Sequence, residues 1–152
     1  MMSGIRGKNT KPEMVIRRGL HRAGFRYRLH SSGLPGRPDL VLAKYNVLVL
    51  VNGCFWHGHD CHLFKWPSGS RAQFWREKIS GNVERDARNM NAYKNSGWRV
   101  AIVWECSLKG KFRSESVQVI TRLAEWICGT GKYLEITCSS MGVTTEPSEP
   151  IK

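Results

Sequence analysis

Ten consecutive residues, Asn52-Gly53-Cys54-Phe55-Trp56-His57-Gly58-His59-Asp60-Cys61, hold two thiols, two imidazoles, a carboxylate and two large aromatic rings. A core has no use for that mixture. Cys54, His59 and Cys61 form a C-x4-H-x-C spacing, and thiolate with imidazole is the donor set that zinc takes in structural sites. Three ligands do not close a tetrahedron, so a fourth is needed. Cys106 is the best placed. If the apolar runs at 47–51 and 100–104 are parallel neighbours, Cys54 and Cys106 leave the same edge of the sheet. His62, beside Cys61, is a weaker rival. Cys128 at a helix end and Cys138 at the start of a polar tail are less well placed. A closed Cys3His set leaves no open position, so the ion would pin the loop rather than react. Two buried thiols with two surface histidines is the plainer alternative.

Three further groups could carry chemistry. Asp39 follows Pro38 at the start of an apolar strand-like run, where a carboxylate is costly unless paired or bound to a cation. Metal-dependent nucleases hold Mg2+ on such a carboxylate, and their next strand usually offers an acid-x-lysine pair. Here that strand reads Leu48-Val49-Leu50-Val51-Asn52, with neither acid nor lysine, so a loop-capping Asp39 stays open beside the metal reading. His57 is not needed to complete a zinc site. Its imidazole suits proton transfer to or from an attacking water, or it is an exposed side chain. Phe55 and Trp56, with Trp66 and Trp75 nearby in sequence, suit wedging between base pairs. Core packing beneath the loop is the other use for them, although Phe55 and Trp56 cannot both easily point inward from one loop.

The elements that must position these groups can be read from pattern. Thr10-Lys11-Pro12-Glu13 predicts a helix start, with Thr10 as cap and Glu13 three residues on. Gly24 stops that helix, and Phe25 to Leu29 alternates as an edge strand would. Pro38 to Leu42 and Val47 to Val51 read as a strand hairpin turning at Lys44-Tyr45-Asn46. A long loop carries the Cys/His cluster to about Ser70. Arg71 to about Asn95 predicts a long charged helix, broken by Gly97, and Val100 to Trp104 a buried strand. Val117 to Ile127 predicts a last helix with one apolar face. The result is β-β-α-β-α after a leading helix. The passage from strand through long helix to strand predicts a parallel crossover.

The chain of 152 residues carries 24 Lys and Arg against 12 Asp and Glu, a formal charge of +12. Residues 1–30 hold eight basic side chains and Glu13 alone as acid. Such a field attracts polyanions, nucleic acid foremost. An odd count of five cysteines argues against a disulfide framework. No apolar run approaches the roughly 18 residues of a membrane span, and no signal-peptide pattern opens the chain. A soluble, intracellular protein is expected, with one domain over 1–138 and a disordered tail over 139–152.

Taken in order, these stretches resemble the very-short-patch-repair endonuclease family. The carriers are Ile5 to Glu13, Leu34-Pro35-Gly36-Arg37-Pro38-Asp39, and Gly53 to Cys61. Phe74 to Ile79, Asn82-Val83-Glu84-Arg85-Asp86, Gly97 to Val100 and Val103-Trp104-Glu105-Cys106 follow. The resemblance implies an α/β, restriction-endonuclease-like core: a mixed central sheet flanked by helices, with a zinc-stabilised loop. It implies a Mg2+-dependent nick 5′ to the thymine of a T:G mismatch, the product of 5-methylcytosine deamination. It implies structural zinc on Cys54, His59, Cys61 and Cys106, Mg2+ on Asp39, and His57 acting on the attacking water. Glu13 and Asp86 would support that network, and the backbone carbonyl of Val51 would share the Mg2+. Phe55, Trp56 and Trp75 would form a wedge, and the basic start with Arg6 and Lys8 would close over DNA. The expected partners are mismatched double-stranded DNA and other repair proteins, met by a monomer at the nucleoid in the cytoplasm.

One departure matters. The family has His immediately before Gly-Cys-Phe-Trp, and this chain has Asn52. An amide hydrogen-bonds phosphate or water but does not exchange a proton near neutral pH. A broader nickase of the same fold, or a mismatch-binding form that cuts poorly, are therefore rival expectations. The N-terminus is also shorter than in relatives, and truncation there would weaken clamping of DNA.

Overall fold

A computed structural model describes residues 9–138. Helix α1 (Lys11–Arg22) opens it, followed by β1 (Arg28–Leu29), β2 (Leu40–Leu42) and β3 (Val47–Asn52). Helix α2 (Ala72–Asn95), β4 (Arg99–Trp104), α3 (Ser116–Cys128) and β5 (Tyr133–Ile136) complete it. The strands form one sheet in the order β1-β2-β3-β4-β5. β1, β2 and β3 pair antiparallel, whereas β3–β4 and β4–β5 are parallel. The expected mixed sheet with flanking helices is present, and its layout is consistent with a restriction-endonuclease-like core. No helix among the described residues is long and apolar enough to cross a membrane.

Both faces of the sheet are covered, which is why β2, β3 and β4 read as continuous apolar runs rather than alternating ones. Leu40, Leu42, Val47, Val49, Ala101 and Val103 pack with Ile16, Leu20 and Leu123 of α1 and α3. Val41, Leu48, Val100, Ile102 and Trp104 face the other way, with Tyr93 of α2, Cys54 and Cys106. The α1–α3 approach depends on Gly19, where a Cβ would lie 2.4 Å from Ile120 Cδ1. The leading helix starts as expected: Glu13 N donates to Thr10 Oγ1 at 3.3 Å.

Three features differ from the sequence reading. Strand β5 was not expected; Lys132 to Cys138 is short, and its Glu135 breaks the apolar pattern. It is buried because β4 offers it a parallel edge, with Val100 opposite Tyr133 and Val103 opposite Ile136. Asp39 sits just ahead of β2 rather than within it. Cys138, expected to open the tail, is fully buried beside Cys106. Arg6, Lys8 and the 139–152 segment lie outside the described residues.

Candidate active site and metal centre

The parallel register sets Asn52 opposite Trp104. Strands β3 and β4 therefore end together, and the chain leaves both at one edge. The loop after β3 coils back at once: His57 N donates to Gly53 O at 3.2 Å and His59 N to Cys54 O at 2.9 Å. Asn82 of α2 holds it from outside by donating to Trp56 O at 2.9 Å. Gly58 takes φ of 62°, a region L side chains avoid. A Cβ there would meet Val83 Cγ2 at 3.1 Å and Ile79 Cγ2 at 3.3 Å.

This coil brings Cys54, His59, Cys61 and Cys106 together, with one donor atom of each within 4.8 Å of all the others. Three sulfurs and one imidazole nitrogen at that spacing suit a tetrahedral zinc ion. Hydrogen bonding between the Cys54 and Cys106 thiols drives them apart in acidity: Cys54 far upward, Cys106 down to about 5. Burial raises Cys61 and lowers His59. A cation bound there would hold all three sulfurs as thiolates, with release of their protons. His59 lies flat on Trp104, ring centroids 4.1 Å apart. Trp104 is fixed in turn by donating its indole N–H to Glu135 at 2.6 Å. Thr137 Oγ1 sits 2.9 Å from His59 Nε2 and 3.3 Å from Cys106 Sγ. His62 stays outside the set, edge-on to Phe112. Glu135 and Thr137 belong to or follow the unexpected β5, so no sequence signal marked them.

A second cluster lies where β1, β2 and β3 meet α1. Asp39 Oδ2 accepts from Val51 N at 2.7 Å, which ties the carboxylate to the strand leading into the loop. Burial pushes Asp39 up to about 6; the Val51 hydrogen bond opposes this, Glu13 adds to it, and His30 and His57 pull it down. Glu13 is 1% exposed. One of its oxygens accepts from Asn9 N at 2.9 Å and the other lies 2.7 Å from His30 Nε2. Glu13 is therefore both a helix-start residue and a member of this cluster. His30 was missed, because the β1–β2 pairing that sets it opposite Asp39 shows only in the fold.

His57 Nδ1 lies 2.6 Å from Asp86 Oδ2 on α2. Tyr93, about two helical turns further on, is pushed up to about 12 by burial, with Asp39 and Asp86 adding to it. Its hydroxyl donates to Pro35 O and so holds the Leu34–Pro38 loop that precedes Asp39. A cleft of about 750 Å³ opens beside these groups, with Val51, Asn52, His57, Phe55 and Trp56 among its walls.

The aromatics are not core. Phe55 meets Trp56 edge-on at 5.1 Å between centroids, and Trp56 meets Trp75 at 5.9 Å. The row continues through Phe64 and Trp66 on one side and Phe74 on the other. Trp66 and Phe74 are 51% and 47% exposed, with Arg76 over the Trp66 ring and Arg71 over Phe74. Phe64 had not been singled out, because a single Phe carries no pattern of its own, and Phe74 had been read only as part of the Phe74 to Ile79 stretch of the long helix.

Comparison with known proteins agrees with this geometry. Residues 1–63 match the family described as DNA mismatch endonuclease Vsr. The chain is 43% identical over 135 residues to the DNA mismatch endonuclease Vsr of Escherichia coli, covering 89% of this chain and 86% of that protein. It is 46% identical over 108 residues to the type II nicking enzyme V.XorIIP of Xanthomonas oryzae, 71% of this chain and 79% of that one. The type II nicking enzyme V.NmeAIP of Neisseria meningitidis is 45% identical over 111 residues, 73% and 79% of the two chains. With 43% identity across 89% of its length to a mismatch endonuclease, this chain belongs to the Vsr family of DNA endonucleases.

Proposed function

We propose that this DNA nicking endonuclease cuts one strand on the 5′ side of the thymine in a T:G mismatch, in the repair of deaminated 5-methylcytosine. The observation that carries the reading is a cleft that Val51, Asn52 and His57 share with Phe55 and Trp56. One wall can meet a phosphodiester and the other can meet bases.

Zinc on Cys54, His59, Cys61 and Cys106 is the structural element of this proposal; it fixes the loop on which His57 and the wedge are carried. Asp39 and the Val51 carbonyl would hold Mg2+, with Glu13 behind them; a hard cation suits that all-oxygen donor pair. Bound there, the ion supplies charge neutralisation at the scissile phosphate. His57 takes a proton from the attacking water or orients it, and Asp86 holds the imidazole through Nδ1. Asn52 lines the cleft as a hydrogen-bonding group. Phe55, Trp56 and Trp75 enter the stack beside the mismatch, where a T:G pair costs less to distort than a matched one. Arg6 and Lys8 engage phosphates. One centre on a monomer cuts one strand, and residues 1–138 act as one nuclease domain.

Asn52 favours a second reading, in which mismatched DNA is bound tightly and cut slowly. A strand-resolved nicking assay with Mg2+ tests both, using end-labelled duplexes that differ only in a T:G, matched or other mismatched pair. Cutting beside the T of T:G alone supports the first reading. Tight T:G binding without cutting, restored by Asn52→His, supports the second. Cutting of matched and mismatched duplexes at equal rates overturns the T:G assignment.

A further inference from the structure

We propose that His30 is a nitrogen ligand, together with Asp39 and Glu13, of the divalent cation at the nuclease centre. The inference rests on the reading of Asp39 as a metal-holding carboxylate; it adds a nitrogen donor to the all-oxygen pair of Asp39 and the Val51 carbonyl and brings Glu13 in as a direct ligand.

The fold builds this group deliberately. β1 and β2 pair with Leu29 opposite Leu40, so His30 continues the ladder opposite Asp39, and its N–H donates to Asp39 O at 3.1 Å. From α1, Glu13 Oε2 reaches His30 Nε2 at 2.7 Å. One donor atom from each of Glu13, His30 and Asp39 lies within 4.8 Å of the other two. Around an octahedral ion with bonds of about 2.1 Å, adjacent ligands are about 3 Å apart and opposite ones about 4.2 Å apart. The Glu13–His30 distance matches adjacent ligands, and the 4.8 Å limit on the set lies just above the spacing of opposite ones.

Two further observations favour a ligand role. His30 holds φ of 46°, a conformation uncommon for an L residue and one that gathers at functional sites. Glu13 is almost fully buried, and its cationic neighbour Arg17 stays 3.6 Å away while bonding Asn9 Oδ1 at 2.7 Å. Glu13 is thus anchored by Asn9 and Arg17, with Oε2 aimed at His30. A nitrogen donor among carboxylates moves preference from Mg2+ toward borderline ions such as Mn2+. Manganese should therefore bind this centre more tightly than magnesium.

The test uses the full zinc-loaded chain with Mn2+ as the probe, read by pulsed electron paramagnetic resonance without DNA. The expected result is a directly coordinated 14N coupling in the unaltered chain and in His57→Gln. It should vanish in His30→Gln, with Mn2+ affinity lowered at least about tenfold. Histidine-selective 15N labelling of the unaltered chain should convert the coupling to 15N, a readout that no folding defect imitates. Absence of nitrogen coupling in the unaltered chain, or its persistence in a folded His30→Gln, overturns the proposal. If Asp39→Asn still abolishes Mn2+ binding in that event, Asp39 keeps its role and His30 alone loses it. Mn2+ binding that survives Asp39→Asn unchanged overturns the Asp39 reading and this inference with it.

Discussion

Asp86→Asn is the sharpest probe of the proposed chemistry, because it changes a charge while keeping the shape of the side chain. His57 Nδ1 and Asp86 Oδ2 are 2.6 Å apart, with side-chain exposures of 27% and 38%. A charge-assisted hydrogen bond contributes about 1.5–3 kcal/mol. Solvent reaches both partners here, so screening trims that to about 1–2 kcal/mol. If the bond matters when His57 gains a proton, the loss falls on the chemical step, and about 1–2 kcal/mol corresponds to a rate about 5–30-fold lower. Single-turnover nicking at saturating T:G duplex reads that step, and a gel-shift titration of the same duplex should show affinity within about threefold of the parent. The pair also predicts non-additivity: in a His57→Ala background, Asp86→Asn should change the residual rate by less than about twofold. A rate unchanged in Asp86→Asn, or a binding loss as large as the rate loss, would refute a positioning role. Full additivity with His57→Ala would show that Asp86 acts elsewhere.

Four other outcomes are expected. Gly58→Ala should retain zinc but lower the melting temperature by about 2–8 °C, from about 1–2 kcal/mol of left-handed strain, and slow nicking about tenfold as the loop gives way against Val83 and Ile79; thermal melts and single-turnover rates check both. Cys106→Ala should drop zinc below one per chain by elemental analysis and take nicking with it, since Cys54 and His59 flank His57 in one short coil; full activity without zinc would contradict this. Trp56→Ala should weaken discrimination between T:G and matched duplexes by about 1–3 kcal/mol of lost stacking in competition binding, and equal losses on both duplexes would remove the wedge. For Asp39, burial raises the carboxyl from 3.8 to about 6, so the stability it contributes is present below 3.8 and is lost as pH rises through about 6. A cation binds the deprotonated form, so Mn2+ affinity by calorimetry should fall about tenfold per pH unit below about 6 and level off above it.

What the sequence disclosed and what it withheld divide along a physical line. The zinc-type cluster was legible because three of its donors lie within eight residues, and the fourth follows once β3 and β4 are read as a parallel pair that ends together. The Asp39 centre was only half legible. Its partners come from α1 and β1, and a two-residue edge strand, with both residues exposed, leaves no periodicity by which to set its register. That register decides whether His30 faces Asp39 or points elsewhere. β5 was hidden for a related reason. Its four residues gain their burial from the edge of β4, so the cause lies more than thirty positions upstream. Local pattern reports what a segment prefers, whereas these two strands take their place from a neighbour. Three of the residues missed, His30, Glu135 and Thr137, lie on or just beyond such borrowed strands, and each touches a proposed ligand or the ring that supports one. Short edge strands at both ends of this sheet therefore complete the shells around chemistry that the central strands and one loop announce.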